Sequence, residues 1–278
     1  MDELGGKVAV VTGAASGIGF ALTTAWLREG CSVVMADIEE PALDAARARL
    51  GDDERDRVVA VPTDVTDPAA VDRLAAATVA RFGQVDIVCN NAGVSTFNTI
   101  ANQTLADWQW VLGVNLWGVI HGVHTFVPIL RRQSTEAHIV NTASIAGLLS
   151  GIAYIGPYAV SKVGVVSLSE TLRQELAMEG APIGVSVLCP SATNTACMEG
   201  ERNRPPDTGN EVRTPDAEQW RVNIKAGMTG PGGKEPAEVA DMVVDAVRAN
   251  RFWVVSHGDL RAGIEHRFAD ILEHVPQA

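Results

Sequence analysis

Tyr158 and Lys162 stand four residues apart in GPYAVSK, residues 156–162. On a helix that spacing puts a phenol and an amine on one face, separated by about 6 Å of axial rise. A nearby ammonium favours phenolate and draws a tyrosine pKa down from about 10 toward neutrality, which makes the hydroxyl a usable proton donor and acceptor. Ala159, Ser161 and Gly164 continue the stretch with side chains small enough to admit a ligand or another backbone. A Tyr-x-x-x-Lys pair is common on solvated helix faces, so its meaning rests on the residues around it.

Five other features keep it company. TGAASGIG, residues 12–19, follows an apolar run and opens a helical one. Glycines 13, 17 and 19 there suit close approach of a pyrophosphate to backbone N–H groups and to the helix dipole, although the spacing is GxxxGxG rather than GxGxxG. Asp37 ends the next apolar run, where a carboxylate can bond both ribose hydroxyls of NAD and repel a 2′-phosphate; capping the following helix is its alternative use. No Lys or Arg stands in the glycine loop or at position 38 to hold NADP. NNAG (90–93) and Ser144 end two further runs, and Asn115 lies inside a helical pattern, where its side chain competes with the backbone and points to a local distortion or a held water.

The elements that must position these groups alternate. KVAVVT (7–12), CSVVMAD (31–37), RVVAVPTD (57–64), VDIVCN (85–90), HIVNTAS (138–144), IGVSVLCP (183–190) and RFWVVS (251–256) read as strands, several apolar on both faces. Between them lie helical segments. In one, Leu22, Ala25 and Trp26 share a face and Gly30 is the stop; another has Asp67 as N-cap, Pro68 in its first turn and Gly83 at its end. Seven strands with intervening helices predict a Rossmann-like, doubly wound parallel sheet in one α/β domain over residues 1–278. Residues 191–235, rich in Pro and Gly, break the rhythm and read as a substrate lid, or else as a surface loop.

Composition narrows the function. A net charge of −12 offers no electrostatic footprint for nucleic acid or anionic membranes and disfavours an acidic carrier protein. Cys31, Cys89, Cys189 and Cys197 show no metal-binding or disulfide spacing and suit free thiols in a reducing compartment. His121 and His124 share a helix with Asn115 but lack further ligands, so no metal is expected; Trp108, Trp110 and Trp117 in that region suit core or subunit packing. The N-terminus lacks a signal-peptide pattern, and no apolar run approaches membrane-spanning length, so a cytoplasmic protein is expected.

Taken in this order, TGxxxGIG, NNAG, the helical Asn, the strand-end Ser and YxxxK resemble the short-chain dehydrogenase/reductase (SDR) family, from Lys7 to about His257. The resemblance implies an NAD-dependent oxidoreductase exchanging a hydride between NAD(H) and a secondary alcohol or ketone. Tyr158 would be the acid/base, Lys162 its pKa-lowering partner and a ribose ligand, Ser144 a donor to the reacting oxygen, and Asn115 the holder of a relay water. Cofactor contacts would come from Gly13, Ser16, Gly17, Ile18, Gly19, Asp37, Ile38, Asp64, Val65, Asn91, Ala92, Gly93, Tyr158, Lys162, Pro190, Thr193 and Thr195. It further implies a homodimer or homotetramer built on the Asn115 and Tyr158 helices.

One departure stands out: Ser191 and Thr193 occupy positions where the family usually carries Gly and Val, and a Cβ at 191 narrows the pocket beside the nicotinamide. SIAGLLSGIAYIG (144–156) with Met198 and Met228 suggests a roomy apolar pocket for a steroid, terpenoid, aromatic or cyclic alcohol; Ser144, Tyr154, Tyr158 and Met198 are the expected substrate contacts. A 3-oxoacyl thioester reductase and a non-catalytic NAD-sensing protein on the same fold are the alternatives, the latter requiring loss of catalytic side chains that this sequence retains.

Overall fold

The structure, a computed structural model, describes residues 1–149, 151–209 and 212–276. Positions 210 and 211 of the expected lid, and 150 of the apolar stretch, lie outside the described residues. All seven expected strands form: β1 (Val8–Thr12), β2 (Ser32–Asp37), β3 (Val58–Pro62), β4 (Ile87–Asn90), β5 (Ala137–Thr142), β6 (Ile183–Cys189) and β7 (Trp253–Val255). They pair in parallel in the order β3-β2-β1-β4-β5-β6-β7. Strand order reverses between β1 and β4, and that switch point opens a crevice at the carboxyl ends of the strands.

The helices are α1 (Gly17–Arg28), α2 (Glu40–Ala48), α3 (Asp52–Arg55), α4 (Pro68–Phe82), α5 (Leu105–Leu112), α6 (Gly118–Gln133), α7 (Ile145–Leu149), α8 (Gly156–Met178), α9 (Pro215–Thr229), α10 (Pro236–Arg248) and α11 (Arg261–Glu273). Alternation along β1 divides the core. Ala9 and Val11 face the layer holding Leu22, Ala25 and Trp26 of α1 and Val239, Val243 and Val247 of α10. Val10 faces the opposite layer, with Val71 and Leu74 of α4, Phe126 and Leu130 of α6 and Val165 and Leu172 of α8. Both sheet faces are therefore buried, and for that reason the strands read as continuous apolar runs.

Local signals work as expected at α4, where the Asp67 carboxylate accepts from the Ala69 N–H and Gly83 closes the helix at φ +79°. Between α5 and α6 the chain makes a π-turn, Gly113–Trp117, around Asn115. The combined helical run Leu105–Gln133 corrects one expectation, since it has the length and apolar composition of a membrane span. Here 44% of its apolar window is buried inside the fold, and Val111, Val119, Phe126 and Leu130 of the run are core residues.

Residues 191–235 are built rather than featureless. A 3-10 segment (Ala196–Asn203) and α9 arch out from the end of β6, and a bridge from Thr193 to Lys234 closes their base. α11, beyond the reach of the sequence pattern, rests on α7, where Arg267 Nη1 donates to the Leu148 carbonyl at 2.7 Å.

Candidate active site

The carboxyl edge of the sheet delivers the groups that the sequence singled out. Gly13 (φ +68°) and Gly17 (φ +52°) lie in the left-handed region, which favours glycine. A Cβ on Gly19 would stand 1.9 Å from the Gly13 carbonyl oxygen, and one on Gly13 2.9 Å from Ala92 Cα. A side chain at either position would collide with the protein's own backbone, so glycine is what lets this turn close against the β4 end. Asp37 braces this loop from β2: one carboxylate oxygen accepts from Ala15 N–H at 3.0 Å and the other from Glu39 N–H at 3.1 Å. Asp37 also lines the groove, but it does not cap the following helix, whose N-cap is Glu39.

The β4 end is tied to β1 through Thr12. Its hydroxyl accepts from Asn91 and Ala92 N–H at 2.8 and 3.1 Å, while Asn91 Nδ2 donates to the Thr12 carbonyl at 2.9 Å. Asn115 is fully buried behind this loop. Its Oδ1 accepts from Val94 N–H at 2.8 Å and its Nδ2 donates to the Val94 carbonyl and to Ser161 Oγ. The side chain is thus fully occupied, and the π-turn around it shifts the backbone hydrogen-bond register, which leaves a main-chain carbonyl outside the usual ladder.

Helix α8 carries Tyr158 and Lys162 to the same place. Lys162 is 3% exposed; its Nζ donates to the Thr142 carbonyl at 2.8 Å and lies 5.5 Å from the centroid of the Tyr158 ring. Burial draws the Lys162 pKa down from 10.5 to about 8. The expectation for Tyr158 needs correction. Burial pushes its phenol above the usual value, and the neighbouring Cys197 adds to this, while a hydrogen bond with Ser144 only partly opposes it. Desolvation outweighs the help of a lysine that is itself reluctant to hold its proton. Ser144 Oγ accepts from Ala146 N–H at 3.1 Å and faces the Pro190 carbonyl at 3.4 Å.

One cavity of about 490 Å³ joins these groups. Its wall includes Gly13, Ser16, Gly17, Ile18, Gly19, Asp37, Ile38, Asp64, Val65, Asn91, Ala92, Gly93, Ser144, Tyr158, Lys162, Pro190, Thr193, Thr195 and Met198, all expected. Asn115 is not in the wall, but a Cβ on Gly93 would come within 3.3 Å of its Oδ1 and 3.7 Å of Lys162 Nζ, so Gly93 is the thin partition between them. Tyr154 does not line the cavity either, which corrects its assignment as a substrate contact. Its backbone takes φ +64°, and its ring packs beside Trp220 at 6.2 Å between centroids.

Sequence reasoning missed Trp220, Phe97 and Cys197 in the wall. Trp220, Ile224 and Met228 recur every four residues, a helical stripe that would have marked α9. Ser191 lines the cavity as well, and its N–H donates to Ser256 Oγ at 3.0 Å, holding the peptide where the family's glycine is absent.

The long groove has a glycine-lined end beneath a helix N-terminus, a carboxylate at the ribose position and a phenol–hydroxyl–amine cluster at the other end. These features fit a nicotinamide dinucleotide. Hydride chemistry on that cofactor is the class of reaction that fold and site define. The model of the short chain dehydrogenase family matches residues 7–206, and the chain belongs to that family. It is 35% identical over 274 residues to a 1-deoxy-11-beta-hydroxypentalenate dehydrogenase of Streptomyces arenae, covering 97% of this chain and 89% of the relative. It is 33% identical to a C alpha-dehydrogenase of Sphingobium sp. strain SYK-6, covering 99% and 88%. A crystal structure of a short chain dehydrogenase/reductase from Burkholderia phymatum in complex with NAD superposes with a TM-score of 0.91 at 38% identity, covering 100% of this chain and 99% of that one. The protein is an oxidoreductase acting on CH–OH groups.

Proposed function

We propose that this enzyme interconverts a fairly apolar secondary alcohol and its ketone with NAD(H), with Tyr158 as acid/base. The observation that carries the reading is the convergence of Ser144, Tyr158 and Lys162 at one end of a cavity whose other end is walled by Gly13, Gly19 and Asp37. In the oxidative direction Ser144 and Tyr158 hold the substrate oxygen, and Tyr158 removes its proton. A nicotinamide dinucleotide held along Gly13, Gly17, Gly19 and Asp37 would supply the hydride acceptor for the carbinol carbon. Protonated Lys162, 5.5 Å from the ring centroid, supplies positive charge that works against the desolvation raising the phenol's pKa. Proton exchange would run from Lys162 past Gly93 to a water at the Asn115 π-turn; with the Asn115 side chain occupied by Val94 and Ser161, main-chain groups would have to bind that water.

The substrate end is walled by Phe97, Ile152, Ile155, Met198, Trp220 and Met228, which suits a ring-bearing, largely apolar skeleton of the terpenoid or aromatic kind. Two named relatives are dehydrogenases, one of a hydroxylated pentalenate, in keeping with such a skeleton. Residues 191–235 act as the lid over this end. The exposed apolar side chains Trp117 on the α5–α6 run and Val160 on α8 are the contact faces of a homodimer or homotetramer. The buried free thiols Cys31, Cys89 and Cys189 suit a cytoplasmic enzyme.

Following reduced-nicotinamide absorbance with NAD or NADP and a panel of cyclic and aryl secondary alcohols tests the proposal. NAD-dependent turnover is expected, falling at least about a hundredfold in Tyr158→Phe. Turnover retained in that variant would reject Tyr158 as acid/base.

A further inference from the structure

Two cationic side chains line the cavity among the described residues, Lys162 and Arg202. Lys162 is engaged at the catalytic end. Arg202 comes from the lid segment Ala196–Asn203 and reaches the opposite, adenosine end, where its Nε donates to Glu39 Oε1 at 2.9 Å. Asn203 Nδ2 donates to the same oxygen at 2.7 Å. Glu39 is two residues beyond Asp37, and its backbone N–H donates to the Asp37 carboxylate. The lid is therefore bonded directly to the segment that meets the adenosine ribose.

This ion pair is 42% and 27% exposed at its two side chains, a setting in which such pairs add little stability. Its position suggests a different use. A 2′-phosphate entering beside Asp37 would seek a guanidinium, and Arg202 is the guanidinium within the wall. Glu39 holds it in an ion pair and adds a second negative charge.

We infer that Glu39 is a specificity-determining residue which, by sequestering the lid's Arg202, keeps the groove selective for a ribose without a 2′-phosphate. Resting on the dinucleotide reading of the groove, the assignment gives Asp37 a partner 163 positions from Arg202's own place in the chain.

Direct binding of 5′-AMP and 2′,5′-ADP, measured by titration calorimetry, tests this without turnover. The wild-type chain is expected to bind 5′-AMP more tightly. In Glu39→Gln the ratio of the two dissociation constants should move toward 2′,5′-ADP by about tenfold, and Glu39→Gln/Arg202→Ala should reverse the gain. Arg202→Ala alone should move the ratio the other way, since it leaves the Glu39 carboxylate unpaired. An unchanged ratio in Glu39→Gln, or a gain that persists in the double variant, would overturn the inference. Failure of the wild-type chain to bind either nucleotide would instead strike at the dinucleotide groove itself.

Discussion

Lys162 donates its hydrogen bond to the carbonyl of Thr142 at 2.8 Å while its ammonium stands 5.5 Å from the centroid of the Tyr158 ring. The lysine is thus fixed to β5 and acts on the phenol through space rather than by a direct bond. Such an arrangement keeps the charge in place when the phenol gains or loses its proton. It also requires an amine to be ionised where burial disfavours ionisation.

That conflict predicts a trade between stability and function. In the folded chain the Lys162 pKa falls from 10.5 to about 8. Below about pH 8 both folded and unfolded chains carry the proton, and the folded chain bears the whole penalty, about 3 kcal/mol by proton linkage. Between there and 10.5 the unfolded chain binds a proton that the folded one does not, so the wild-type protein gains stability as pH rises. Lys162→Met removes the penalty but leaves the Thr142 carbonyl without its donor, which costs about 1–3 kcal/mol. The variant should be inactive, yet more stable relative to wild type at pH 7 than at pH 9.5. Urea denaturation at both pH values measures this, and a difference independent of pH would contradict it.

A buried polar chain ties β4 and β5 to α8. Asn90 Nδ2 donates to Asn141 Oδ1 at 2.9 Å, Asn141 Nδ2 to Ser169 Oγ at 3.0 Å, and Ser169 Oγ to the Val165 carbonyl. Gly122 lies against Asn90, and a Cβ there would stand 2.0 Å from Asn90 Oδ1. Gly122→Ala must displace the amide and orphan its buried partners, so a loss of about 2–4 kcal/mol is expected in urea denaturation. Gly227→Ala in α9, where a Cβ would meet nothing within 4 Å, should be neutral or stabilising. Equal effects from both substitutions would remove the steric argument.

How much of this was legible beforehand follows from where the free energy sits. The five inner strands could be read because each is an apolar run buried on both faces, and the part-exposed edge strands β3 and β7 still carry runs of valine. Asn115 signalled its π-turn, since a polar residue in the middle of an apolar helix has few other uses. Helix α9 was missed because Trp220, Ile224 and Met228 face a cavity and are interrupted by charged residues, Arg221 pairing within the helix with Glu218 and Lys225 across the lid with Glu199. Tyr154 was misplaced because nothing in the sequence marks its positive φ; its ring packs beside Trp220 and stays out of the cavity wall. Contacts such as Arg202 with Glu39 join residues that only the tertiary fold brings together.

Ser256 is a positioning residue for the stretch in which Ser191 replaces the usual glycine. Its hydroxyl accepts from Ser191 N–H at 3.0 Å and lies 2.6 Å from His257 Nδ1. Ser256→Ala should loosen the peptide at 191 and raise the KM for NAD several-fold with a smaller effect on kcat, because the group touches neither reacting oxygen nor phenol. Ser256→Thr keeps the hydroxyl and should restore the KM. A fall in kcat with KM unchanged would assign Ser256 some other role.

Arg204 anchors the lid to the body as Arg202 anchors it to the adenosine end. Its Nη2 donates to Asp107 Oδ1 at 2.5 Å, both side chains being less than one-tenth exposed, and its Nε donates to the Gly209 carbonyl. Burial pushes the Asp107 carboxyl up, but hydrogen bonds from Thr104 and Arg204 more than offset this and hold it below the ordinary range. A carboxylate with a depressed pKa stabilises the fold above its unfolded value, and that contribution is lost as pH falls through the folded one. Arg204→Met removes the main countercharge while Asp107 stays buried at the start of α5, which should cost about 3–5 kcal/mol near neutrality. The loss should shrink below about pH 4, where Asp107 is protonated in the unfolded chain and increasingly so in the variant. Because the same arginine fixes the lid, Arg204→Met should also raise the KM for the alcohol more than that for NAD. Denaturation at pH 7 and pH 4 alongside both Michaelis constants separates the two effects, and an unchanged alcohol KM would detach Arg204 from the lid's function.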